Sequence, residues 1–64
     1  MEYGKLVRKE RQKLGVSVEQ LAQMTGFTKR AIFYWESGER TMSIKSADRV
    51  FYALGVSVVI GKKD

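Results

Sequence analysis

The sequence predicts an all-α fold. Four short helices form one compact domain spanning residues 1–64, and a short β-strand follows the last helix. Three observations predict it. Apolar residues recur at three- and four-residue spacing in successive windows. Each window is closed by a glycine: Gly15, Gly26, Gly38 and Gly55. The last apolar run, Val56-Ser57-Val58-Val59-Ile60, is short and rich in β-branched residues, which suits a strand.

Helix 1 is expected over residues 3–14, YGKLVRKERQKL. Leu6, Val7 and Leu14, with Tyr3, mark its buried side. Lys5, Arg8, Lys9 and Lys13 lie in water. Glu10 sits beside the buried face, on its rim or with its stem packed and its head in water. Gly15 is a stop signal.

Helix 2, over residues 18–25, starts with a capping box. The Ser17 hydroxyl accepts from a backbone N–H of the first turn, and Gln20 reaches back. Leu21, Ala22, Met24 and Thr25 follow at helical spacing. Gly26 breaks the helix, because a chain turning this sharply often needs φ > 0. Phe27 is an apolar plug, and Thr28 is the N-cap of helix 3, over residues 28–37. In helix 3, Ala31, Ile32 and Trp35 form one face, with Trp35 in the core. Lys29, Arg30, Phe33 and Tyr34 spread over the rest. Phe33 and Tyr34 cannot both point inward when Ile32 and Trp35 already do, so at least one is exposed. Two helices joined by a short turn containing glycine make the helix-turn-helix pattern.

Residues 37–42 read as a loop. Ser43 caps helix 4, over residues 44–54, in which Ile44, Ala47, Val50, Phe51 and Leu54 make a strong apolar stripe. The strand at 56–60 has no partner within a helical domain. Its open edge invites the same strand from a second copy, related by a two-fold axis. The alternative is that 56–60 fold back over the core.

Composition limits what the chain does. A core of this size yields only ~3–5 kcal/mol, so help is expected from a partner, a metal or a second copy. With no Cys and no His, disulfides and the usual zinc sites are excluded, and the scattered carboxylates show no calcium-loop spacing. Neither metal nor cofactor is expected. Catalysis finds no His or Cys to act as base or nucleophile, no glycine-rich phosphate loop, and no partner for Asp48 at catalytic spacing. No apolar run approaches the ~20 residues of a membrane span, and no signal segment is evident, so a cytoplasmic protein is expected. Net charge is +5, from 12 Lys and Arg against 7 Asp and Glu, and the pI is about 9.8. That balance suits a polyanion, and it is also an ordinary route to solubility.

The order LAQMTGFTKRAIFYWESGE, with a later helix ending in ALGVS, resembles the Cro and phage-repressor (XRE-like) type of helix-turn-helix. Leu21, Ala22, Gly26, Ile32, Trp35, Glu36 and Gly38 carry the resemblance, which covers residues 4 to about 57. It implies a lambda-repressor-like domain in which helix 3 reads the major groove. Lys29, Arg30, Phe33 and Tyr34 then face bases and nearby phosphates, with Thr28 at the helix entrance. It also implies a structural ion pair between Arg11 and Glu36. Four features depart from the family pattern. Val18 stands where the family often has a phosphate-contacting Gln. Thr25 stands where Val or Ile is usual, and Glu10 where an apolar residue is common. The segment VSVVI replaces a fifth helix.

The expected function is sequence-specific binding of double-stranded DNA by a homodimeric transcriptional regulator, a repressor, at a palindromic operator. Arg30 or Lys29 can donate to guanine O6 and N7, and Phe33 or Tyr34 can touch a thymine methyl. Ser17 and Gln20, with Arg40, Thr41 and Ser43 of the later loop, are the phosphate candidates. The plainer alternatives are that Lys29 and Arg30 are a solvated face and that the loop is a connector. The dimer strand would be Val56, Ser57, Val58, Val59 and Ile60. A different class of function is the antitoxin of a toxin–antitoxin pair, which binds a toxin protein and autoregulates its operon. Some antitoxin members of the family end in a similar apolar strand.

Overall fold

The structure, a computed structural model, describes residues 3–56. Four helices follow one another: α1 (Tyr3–Lys13), α2 (Val18–Thr25), α3 (Lys29–Ser37) and α4 (Ile44–Leu54). Among the described residues there is no strand. The segment 57–60 lies outside them. Val56 itself is half-buried against the core, and its N–H donates to the Phe51 carbonyl at 3.0 Å.

Local chemistry sets the helix ends. Ser17 and Gln20 close a reciprocal box: the Gln20 N–H donates to Ser17 Oγ at 3.0 Å, and the Ser17 N–H to Gln20 Oε1 at 2.9 Å. Thr28 and Ser43 are β-region N-caps whose hydroxyls accept from the Ala31 and Ser46 N–H groups. Gly26 takes φ +83°, a left-handed conformation in which its N–H reaches the Ala22 carbonyl. That conformation turns the chain from α2 into α3.

Val7, Leu21, Ile32, Met42, Ala47, Val50, Phe51 and Leu54 form the core, so every helix contributes. α3 packs on α1 and α2, and α4 packs on the same two helices. Tyr3, Leu6 and Trp35 are half-buried against this core rather than within it.

Two expected core residues lie outside. Leu14 is 53% exposed. It falls one residue beyond α1, where the chain already bends through Gly15, and Val16 packs on the core in its place. Ile44 is 54% exposed. It is the first residue of α4, and Met42, two residues earlier in the loop, is the buried one. Met24 is likewise half in water, whereas Thr25 beside it is buried. Glu10 is on the rim and pairs with Lys13 at 3.6 Å.

Candidate nucleic-acid interface

α3 has two sides. Successive residues rotate by ~100° about a helix, so 30, 33, 34 and 37 share one side and 32 and 36 the other, while Lys29, seven residues before Glu36, starts the Glu36 stripe at the exposed first turn. Ile32 and Glu36 are buried. Lys29, Arg30 and Phe33 are exposed, Phe33 by 57%, and Tyr34 is half-buried.

The buried carboxylate is held by a fork. Arg11 on α1 donates from Nε to Glu36 Oε2 and from Nη2 to Glu36 Oε1, each at 2.8 Å. Its Nη1 donates to the Val16 carbonyl at 2.9 Å. One guanidinium therefore ties α1, the loop before α2 and the end of α3 together. The hydrogen bond to Glu36 holds the Arg11 pKa above its ordinary value, against the opposing effect of burial. The preceding residue, Trp35, is braced by an aromatic contact. Phe27 meets Trp35 edge-on, centroids 5.0 Å apart and planes at 89°, and the Arg49 guanidinium lies 5.7 Å over Phe27.

Thr25 braces the turn. Its hydroxyl donates to the Leu21 carbonyl at 2.8 Å and accepts from the Phe27 N–H at 3.3 Å. A buried hydroxyl here is satisfied because it serves the helix end and the turn at once. Across the same turn, Lys29 Nζ lies 3.4 Å from Glu19 Oε2, an exposed ion pair between the starts of α3 and α2.

Beyond α3 the loop folds back on the helix. Arg40 N–H donates to the Tyr34 carbonyl at 3.2 Å, and the Arg40 guanidinium lies 5.0 Å over the Tyr34 ring. The Gly38 and Glu39 N–H groups donate to the Trp35 carbonyl and to Ser37 Oγ. These three amides are therefore taken up within the chain. What the loop turns outward are the exposed side chains of Arg40, Thr41 and Ser43. The Ser43 hydroxyl is also occupied, accepting from the Ser46 N–H and donating to Ser46 Oγ. At the start of α2, Ser17 and Gln20 are exposed and engaged with each other. The Ser17 proton and the Gln20 side-chain N–H groups stay available to an outside acceptor. The structure thus brings Thr28, Lys29, Arg30, Phe33 and Tyr34 onto one helix, with Arg40 stacked beside them. Among the described residues no cluster of three His, Cys, Asp or Glu could hold a metal, and no helix is long and apolar enough to cross a membrane.

Sequence reasoning missed Glu19, ten positions before its partner, and Gly4, which lies at the crossing of α1 with the end of α3. A glycine inside a helical window was the available signal for Gly4. Nothing in the spacing points to Glu19, because its partner is set by the angle between two helices.

The comparisons with known proteins agree with this geometry. The helix-turn-helix family profile matches residues 7–60, most of the chain. A protein of Methanothermobacter thermautotrophicus, described as an uncharacterized HTH-type transcriptional regulator, is 38% identical over 50 residues. The alignment covers 78% of this chain and 72% of that protein. No solved structure matches the chain. With its capped α2, left-handed glycine turn and α3, the chain belongs to the DNA-binding helix-turn-helix family of the Cro and phage-repressor type.

Proposed function

We propose that this chain is one domain that binds double-stranded DNA sequence-specifically and represses transcription as a homodimer, with α3 in the major groove. The observation that carries the reading is the two-sidedness of α3. Its inner side is fixed by Ile32 and the Arg11–Glu36 fork, while Lys29, Arg30 and Phe33 stand in water. An exposed aromatic between two cations suits a groove edge better than bulk solvent. Arg30 donates bidentately to guanine, Lys29 to a second guanine, and Phe33 packs on a thymine methyl. Tyr34 and Thr28 contact the flanking sugar and the backbone. Arg40, Thr41, Ser43, Ser17 and Gln20 hold phosphates on either side and fix the register. Residues 56–60 pair with their copy, which sets two half-sites about 34 Å apart and makes the operator palindromic.

The test is selection of binding sites from a random duplex library, followed by titration at several salt concentrations. The expected outcome is an inverted repeat, bound with an affinity that falls steeply as salt rises. Arg30→Ala weakens it by about 1–3 kcal/mol and relaxes one base position per half-site. Failure to enrich any site, or a salt-insensitive complex, refutes the reading. Solution mass tests the dimer separately: the full chain is dimeric and Val58→Asp is monomeric. A selected site placed over a promoter lowers reporter output if the regulator is a repressor.

A further inference from the structure

The ion pair between Glu19 and Lys29 stands on the face assigned above to DNA, and it sets a carboxylate against a polyanion there. Glu19 lies in the first turn of α2, with a side chain 72% exposed, and Lys29 is the first residue of α3, 55% exposed. Their charged atoms are 3.4 Å apart. The other cations of this face are held differently. Arg40 stacks on Tyr34, and Arg30 has no ion-pair partner among the described residues. Among the described residues of this face, Lys29 alone is joined to a carboxylate.

We infer that Glu19 is a specificity-determining residue acting through Lys29: it competes with phosphate for that ammonium and directs it to a base edge instead. The inference rests on the DNA-binding reading and deepens it. A phosphate approaching Lys29 must displace the carboxylate or sit beside it, and two anions at one ammonium repel. That cost falls on every duplex bound through its backbone alone. A base edge is different, because guanine O6 and N7 are neutral acceptors. An ammonium has three donors. Lys29 can keep one on Glu19 and give the others to guanine, so the correct site does not break the pair. Discrimination then comes from what Glu19 penalises as much as from what Lys29 attracts. The position also explains why an acid is tolerated on a basic face. A carboxylate in the first turn of a helix is favoured by the helix dipole, so Glu19 supports the fold while it limits indiscriminate binding.

The experiment uses the full chain, its selected duplex and a scrambled duplex of equal length. Glu19→Gln is compared with wild type, with Lys29→Met and with the double variant, at several salt concentrations. Glu19→Gln is expected to tighten binding to the scrambled duplex by about two- to fivefold, the range of an exposed ion pair. The selected duplex gains less, so the ratio of the two affinities falls. The slope of log affinity against log salt on scrambled DNA steepens by about one phosphate contact. In the Lys29→Met background the effect of Glu19→Gln disappears, and Glu19→Asp keeps the wild-type ratio. A Glu19→Gln variant without effect overturns the inference. So does one that tightens both duplexes equally, or one that acts undiminished without Lys29, because Glu19 is then only a background charge. Should wild type bind the selected duplex and Arg30→Ala weaken it while Glu19→Gln changes nothing, this inference alone fails. Should wild type bind no duplex, both readings fail.

Discussion

Replacing Gly4 by alanine tests how tightly α3 is seated. Gly4 is buried on α1 where that helix crosses the last turn of α3. A Cβ at this position would overlap the Trp35 carbonyl oxygen, lie 2.6 Å from its carbon and 3.3 Å from the Glu36 nitrogen. These are backbone atoms inside a helix, so no rotamer change relieves the overlap. Carbon atoms in contact sit about 3.5–4.0 Å apart, so the carbonyl carbon alone requires the two helices to part by about 1 Å, and the nearer oxygen requires more. Parting them also pulls on the Arg11–Glu36 fork, which spans the same crossing at 2.8 Å. Overpacking of this kind costs about 1–3 kcal/mol. Helix propensity works the other way, favouring alanine over glycine by up to roughly 1 kcal/mol. With the overlap at backbone, the steric cost falls at the top of its range, about 3 kcal/mol, for a net loss of about 2 kcal/mol. That is about half of the ~3–5 kcal/mol available to a domain this small. It corresponds to a fall in Tm of about 8–16 °C. Urea and thermal denaturation followed by far-UV circular dichroism measure it. The single tryptophan, Trp35, reports fluorescence from the crossing itself. A Gly4→Ala protein as stable as wild type, or more stable, refutes the close crossing, since propensity alone would then be deciding.

Glu36→Ala leaves the Arg11 guanidinium half-buried without its carboxylate and costs about 3 kcal/mol in urea denaturation. Because the folded pKa of Arg11 is raised, its contribution is complete below the ordinary arginine range and is lost only as pH rises through the folded value. The stability it supplies is therefore constant across about pH 6–9, which a denaturation series at fixed salt checks. Thr25→Val removes the acceptor of the Phe27 N–H and costs about 1–2 kcal/mol, whereas Thr25→Ser keeps both hydrogen bonds and most of the stability. Ile44→Ser changes stability by less than about 0.5 kcal/mol, since Ile44 is more than half in water. A larger loss that grows on dilution would instead mark Ile44 as covered by a second copy.

Much of this fold is written in short-range chemistry, and that part was legible. Ser17, Gln20, Gly26, Thr28 and Ser43 act on neighbours within four residues, so their roles follow from spacing, and the helix limits fall within one residue of expectation. Illegible features depend on where one helix ends relative to another. Leu14 and Ile44 satisfy the helical period, yet each stands at a helix end with no facing element. Met42 carries no periodic signal, because it enters the core from a loop. At the interface, the outward side of α3 followed from Ile32 and Trp35 pointing in. The loop amides did not: their acceptors, the Tyr34 and Trp35 carbonyls and Ser37 Oγ, are set by how the chain leaves α3.

The division of α3 into two sides separates stability from the recognition proposed above, and Tyr34 is where the separation fails. Glu36 and Ile32 can change only at the expense of folding, because each is buried against α1 or the core. Lys29, Arg30 and Phe33 can change at little structural cost, because all three are exposed and the ion pair of Lys29 with Glu19 is itself exposed. A regulator built this way can acquire a new target sequence without losing its fold. Tyr34 belongs to both sides. Its ring lies under the Arg40 guanidinium, and its carbonyl accepts from the Arg40 N–H and from Ser37 Oγ. On the proposed reading, a substitution at 34 that removes the ring also frees Arg40, the cation proposed to hold phosphate. The proposed sugar contact of Tyr34 and the proposed phosphate contact of Arg40 are then coupled through one stacked pair. Variants at 34 should lose affinity on all duplexes together, while variants at 30 lose it on one sequence.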